Sequence, residues 1–119
     1  MNKKKFISIA KNVIDLEIEA LQKLKKDIKN SFSEAVVQIA KCQSKVILCG
    51  VGKSGLIASK IAATLSSVGT PSFNLSASDS SHGDLGSISK KDILILISYS
   101  GQTNELKNII QYAIEIKFY

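Results

Sequence analysis

A chain of 119 residues, 45% hydrophobic and 22% charged, has room for one small domain around one hydrophobic core. Its net charge of +6 rests on lysine alone, since the sequence holds no arginine, and only 6% of its residues are aromatic. That excludes a nucleic-acid partner as the expectation, because base readout leans on the bidentate guanidinium and strand binding on aromatic stacking.

No apolar run reaches the roughly 18 residues of a membrane span. After Lys3-Lys4-Lys5, the apolar stretch from Phe6 is cut short by Lys11 and Asp15, below the roughly 7 residues of a secretory leader. The expectation is a cytoplasmic protein without a membrane partner. Its positive field favours anionic small molecules. Cys42 and Cys49 lack CxxC spacing and are expected to be buried free thiols.

In chain order, Ile9, Val13, Leu16, Ala20 and Leu24 repeat at steps of three and four, and predict a helix over residues 8–29. Ile14, Ile18, Leu21 and Ile28 make a second stripe on it. Two stripes fit a helix held between its own domain and a partner subunit, or one sunk in its own core. Ser31-Phe32-Ser33-Glu34 has capping-box spacing and predicts a second helix, with Ser31 as N-cap, ending near Cys42. Lys45 to Cys49 then reads as a strand buried on both faces. A third helix follows from about Ser54 to Ser67, stopped by Gly69 and Pro71. Residues 72–76 predict a second strand, 77–91 a polar loop, 92–98 a third strand, and a fourth helix starts near Thr103. Strands alternating with helices predict a parallel α/β sheet with right-handed crossovers.

In such sheets ligands sit beyond the carboxyl ends of the strands. After the first strand comes Gly50-Val51-Gly52-Lys53-Ser54-Gly55, a glycine turn that lets the backbone approach an anion at a helix N-terminus. It is not a Walker A loop, which needs glycine where Ile47 stands. It does spell GxGxxG, but the acid that a dinucleotide site wants after the second strand is met only by Asp79, a few residues late. After the third strand, Ser98-Tyr99-Ser100-Gly101-Gln102-Thr103-Asn104-Glu105 brings three hydroxyls, those of Ser98, Ser100 and Thr103, to a second helix N-terminus. Such a nest holds a phosphate. A cap at Ser100 or Thr103 alone is the plainer role, but it does not account for Ser98 and the glycine turn together.

Gly50 to Gly55, Gly69-Thr70-Pro71, Ser81-His82-Gly83-Asp84-Leu85-Gly86 and Ser98-Tyr99-Ser100-Gly101, in that order, resemble the sugar isomerase (SIS) domain. Within it they are most similar to the arabinose-5-phosphate isomerases. The resemblance implies a doubly wound, flavodoxin-like parallel sheet in the order 2-1-3-4-5. It also implies interconversion of arabinose 5-phosphate and ribulose 5-phosphate for synthesis of Kdo, an outer-surface polysaccharide sugar, and a homo-oligomer where the fold is complete. By the same resemblance Lys53 and Glu105 are catalytic, and Gly52, Ser54, Gly69, Thr70, His82, Ser98, Ser100, Gln102 and Thr103 bind substrate. No cofactor is expected. Without the resemblance, Lys53 reads as a solvated loop lysine and Glu105 as dipole compensation in a helix's first turn. Asp84 serves either to hold the His82 imidazole or to cap a local turn.

The sequence departs from the family pattern in three places. Ser76 stands where the family often carries a histidine that can ligate a metal, so no metal site is expected. Gln102 replaces a common glutamate. A further catalytic glutamate and histidine, with the fourth and fifth strands, would lie beyond residue 119. On this resemblance the domain is expected to be partial, with residues 1–43 as N-terminal helices and 44–119 as an incomplete core. The third strand is then an exposed edge. A non-catalytic sugar-phosphate-binding module on the same fold is the alternative function.

Overall fold

The computed structural model describes residues 1–78 and 83–116. The chain divides into two compact units with the boundary between Val36 and Val37. In the first, helix α1 spans Lys3–Asp27 and is capped by Asn2, whose Oδ1 accepts from the Lys5 N–H at 3.3 Å. It therefore begins ahead of the predicted Ser8, because a cap residue and not the apolar repeat sets its start. No residue of α1 is buried, and Ile9, Ile14, Leu16 and Leu21 of its two apolar stripes are each at least half exposed. Burial of this helix in its own core is thus not what this single chain forms. Helix α2, Asn30–Lys41, straddles the unit boundary. Ser31 lies inside it and not at its cap, and the Phe32 N–H bonds to the Lys29 carbonyl.

The second unit is built on strand β1, Val46–Gly50, all of whose residues are buried. Its side chains alternate between two cores, as the two-residue period of a strand requires. Val46 and Leu48 pack with Ala58 and Ala62 of helix α3, Lys53–Ser67. Ile47 and Cys49 face the other way and join a cluster completed from β2, Ser72–Ser76, and from α4, Asn104–Glu115. β2 contributes Leu75, and α4 contributes Leu106 and Ile109. Strand β3, Ile93–Ile97, closes the set, and the sheet order is β2-β1-β3 with both pairings parallel. One helix covers each face, so the sheet is doubly wound as expected, and β3 is an edge strand among the described residues.

The sheet is pinned at the amino ends of its strands by Asp92, which is only 2% exposed. Its carboxylate accepts from Ser44 Oγ at 2.5 Å, Lys45 Nζ at 2.8 Å, the Ser89 N–H at 2.7 Å and the Lys45 N–H at 3.4 Å. Burial alone would raise the Asp92 pKa, but these hydrogen bonds outweigh it and hold the group down to about 2. The bonds tie the chain before β1 to the chain before β3, beside the Ile93 N–H bond to the Lys45 carbonyl. Cys49, buried in the core, has its thiol pushed up to about 11 by desolvation and is inert, and Cys42 is a half-buried free thiol. No helix among the described residues is long and apolar enough to cross a membrane.

Candidate functional site

Register decides where the chemistry gathers. Gly50 pairs with Ser76 on one side and with Ile97 on the other, so the three strands end level. The glycine turn, the chain leaving β2 and the Ser98–Thr103 loop therefore all emerge at one edge of the sheet.

The turn from β1 into α3 depends on two glycines in backbone contact. A Cβ on Gly50 would lie 2.6 Å from the Ser54 carbonyl carbon, and one on Gly55 would lie 2.7 Å from the Gly50 oxygen. No side chain fits between them, so α3 starts directly on the strand end. Gly52 caps α3 at φ +59°, a conformation open to glycine and strained for other residues. Lys53 is the first helical residue and is exposed, and Ser54 is half-buried behind it.

A cleft of about 180 Å³ lies against this turn, lined by Gly50, Val51, Gly52, Ser76, Ala77, Ser78 and Glu105. Glu105 reaches it because α4 begins at Asn104, which puts the carboxylate in the helix's first turn. Two predicted residues, Gly52 and Glu105, thus share one cavity across a separation of more than fifty positions in sequence. Lys53 borders the same turn without lining the cleft.

The loop after β3 is organised by its own hydroxyls. Ser98 Oγ accepts from the Gly101 N–H at 3.0 Å and lies 2.8 Å from Thr103 Oγ1. Ser100 Oγ accepts from the Gln102 N–H at 3.1 Å. Thr103 is the N-cap of α4 by position, yet its side chain makes no capping bond. Its hydroxyl turns to Ser98, so the simple cap read from sequence is not the bond formed. A second cavity of about 250 Å³ opens beside this loop, lined in part by Ser98, Gln102, Thr103 and Lys107. The hydroxyl hydrogen of Ser100, and that of whichever of Ser98 and Thr103 does not donate to the other, can be donated to an anion.

Gly69 and Thr70 are placed differently. They form the turn between α3 and β2, and the next residue, Pro71, accepts from the Val46 N–H at the start of β1. That is the opposite end of the strands, and the chain does not bring the two to the cleft. His82, with Ser81 and Asp79, lies outside the described residues. Asp84 opens a short 3-10 turn, Asp84–Ser87, and its carbonyl accepts from Ser87 Oγ. Among the described residues no group of three His, Cys, Asp or Glu is placed to hold a metal ion.

Sequence reasoning missed Ser78 as a lining residue and weighed Ser76 only as a missing metal ligand. The signal for both was available in the predicted parallel pairing. Once β1 and β2 run side by side, residues just past Leu75 must adjoin those just past Cys49.

Arabinose 5-phosphate isomerase KdsD of Yersinia pestis is 45% identical over 105 residues, 88% of this chain and 32% of the relative. Arabinose 5-phosphate isomerase GutQ of Salmonella typhi is 41% identical over 104 residues, 87% of this chain and 32% of the relative. The chain thus spans about a third of the length of these curated relatives. A solved Escherichia coli CFT073 protein in complex with arabinose 5-phosphate superposes with a TM-score of 0.93 at 38% identity, covering 100% of this chain and 63% of that one. Residues 38–116 match the SIS domain, which contains the β-strands, the glycine turn, the cleft and the hydroxyl loop described above, and the chain belongs to the SIS domain family.

Proposed function

We propose that this chain forms the phosphosugar-binding front of an aldose–ketose isomerase acting on arabinose 5-phosphate and ribulose 5-phosphate. The observation that carries the reading is the shared cleft of the glycine turn and Glu105, level with the hydroxyl loop at the same sheet edge. The names of the Yersinia and Salmonella relatives support the substrate. In this reading the Ser98–Thr103 loop and the N-terminus of α4 hold the phosphate, with Gln102 hydrogen-bonding beside it. Ser54 and Gly52 offer further donors at the start of α3.

The reaction moves one proton between neighbouring carbons. Glu105 takes the proton from C2 of the aldose, the C1 oxygen is protonated, and an enediol forms. The C2 hydroxyl then loses its proton while C1 gains one, which gives the ketose. The Lys53 ammonium, one residue from the cleft lining, stabilises the oxyanion that develops as each proton leaves. His82 contacts the sugar in this scheme, and Gly69 and Thr70 are proposed contacts that a second copy would have to supply. A role in Kdo and outer polysaccharide synthesis, in the cytoplasm and as a homo-oligomer, belongs to the same proposal.

A second reading has one observation in its favour. Lys53 does not line the cleft, so the chain can hold a sugar phosphate without the charge needed to turn it over. Incubating the purified chain with ribulose 5-phosphate separates the two. Formation of arabinose 5-phosphate, lost in Lys53→Ala, is the expected result. Saturable binding with no product supports the non-catalytic module instead, and no binding overturns both.

A further inference from the structure

With the phosphate held by one loop and the proton by Glu105, the hydroxylated carbon chain between them still needs a recognition surface. The third wall of the cleft supplies one. Ser76 is the last residue of β2 and pairs in register with Gly50, so the chain leaving it runs along the glycine turn. Ala77, in the turn after β2, is 7% exposed and belongs to the core cluster of Leu75 and Ile88, between two serines that line the cavity. Ser76 Oγ and Ser78 Oγ sit 2.8 Å apart, and both residues line the cavity that Glu105 also lines.

The wall chemistry is specific. Apart from Glu105, none of the seven lining residues among the described ones carries a charge. A phosphate would meet the Glu105 carboxylate there, and the described lining holds no cation, so the loop after β3 suits the anionic end of a ligand better than this cavity does. An alcohol suits it, because a hydroxyl both donates and accepts, matching the serine pair on one side and the carboxylate on the other. Serine hydroxyls rotate, so a ligand alcohol can extend or replace the bond between them. The volume of about 180 Å³ holds one end of a small ligand and not a whole phosphosugar, consistent with a subsite beside the phosphate loop.

We infer that Ser76 and Ser78 form a polyol subsite which reads the hydroxyl groups of the sugar chain opposite Glu105. The inference rests on the phosphosugar reading and deepens it. The pair sets which sugar is accepted, while the loop after β3 sets that it be phosphorylated.

The test is titration calorimetry of the whole chain with arabinose 5-phosphate and, separately, with inorganic phosphate. Ser76→Ala and Ser78→Ala are each expected to weaken arabinose 5-phosphate about fivefold, as for one lost neutral hydrogen bond, and to leave inorganic phosphate within about twofold. Ser78→Thr, which keeps the hydroxyl, is expected to retain the affinity. Should Ser76→Ala fail to fold, the exposed Ser78 carries the test alone. Equal weakening of both probes, or no weakening of either, overturns the polyol subsite while leaving the phosphosugar reading intact. Failure of the unaltered chain to bind arabinose 5-phosphate overturns that reading, and the subsite with it.

Discussion

Ser100 illustrates how little a single side chain can say before its neighbours are known. Its Oγ accepts from the Gln102 N–H, so its sequence pattern fits a local turn as well as a ligand contact. Its companions give it meaning: Ser98 and Thr103 hold each other, and the three hydroxyls crowd one helix start. Ser100→Ala is expected to weaken phosphate binding by about 1 kcal/mol or more, read by titration with inorganic phosphate. Unchanged affinity would remove Ser100 from the nest. The glycines were legible earlier, since Gly50 and Gly55 already matched a strand-to-helix turn. Their mutual contact was not, because it depends on how steeply α3 leaves β1. Gly55→Ala places a methyl 2.7 Å from a backbone oxygen, and a loss of about 1–3 kcal/mol in chemical denaturation is expected. Full stability would mean that the turn relaxes freely.

At the scale of elements, strands proved more readable than helix ends. The continuous apolar runs at 45–49 and 92–98 became β1 and β3, offset by a residue or less at each end; β1 is buried throughout, as its pattern requires, while β3 at the sheet edge is half-buried at every residue. The start of α1 and the cap of α2 were misplaced. At α1 the Asn2 side chain captures the Lys5 N–H, and at α2 the Lys29 carbonyl, not the Ser31 side chain, takes the Phe32 N–H; apolar spacing records neither. Asp92 is the polar counterpart of the strands. It stands just ahead of an apolar run with no motif around it, and its four bonds appear only when Ser44, Lys45 and Ser89 meet. Its pKa in the folded chain, about 2, is below the usual carboxylate value of about 3.9. Folding is therefore favoured by the ionised form, a contribution fully present above pH 4 and lost as pH falls toward 2. About 2 kcal/mol is expected to disappear across that window. Asp92→Asn is expected to lower the melting temperature at pH 7 and to flatten the fall in stability between pH 4 and pH 2. An unchanged acid profile would show that another carboxylate governs it.

The whole molecule brings together segments that the sequence holds apart. The doubly wound order β2-β1-β3 aligns the carboxyl ends of three strands, and that alignment makes one cleft from a glycine turn near residue 52 and a helix start near residue 105. The family resemblance pointed to residues in both segments and also to Gly69 and Thr70, which fall at the far end of the strands, since residue order does not reveal which end of a crossover faces the ligand. The two apolar stripes of α1 were equally visible in the sequence, while their exposure in the single chain was not. The claim that the turn and the loop serve one ligand is tested most directly by amide chemical shifts during titration with arabinose 5-phosphate. The account predicts that signals from residues 50–55 and from residues 98–105 move together with one dissociation constant. Movement of only one group, or of the two at unrelated concentrations, would contradict it.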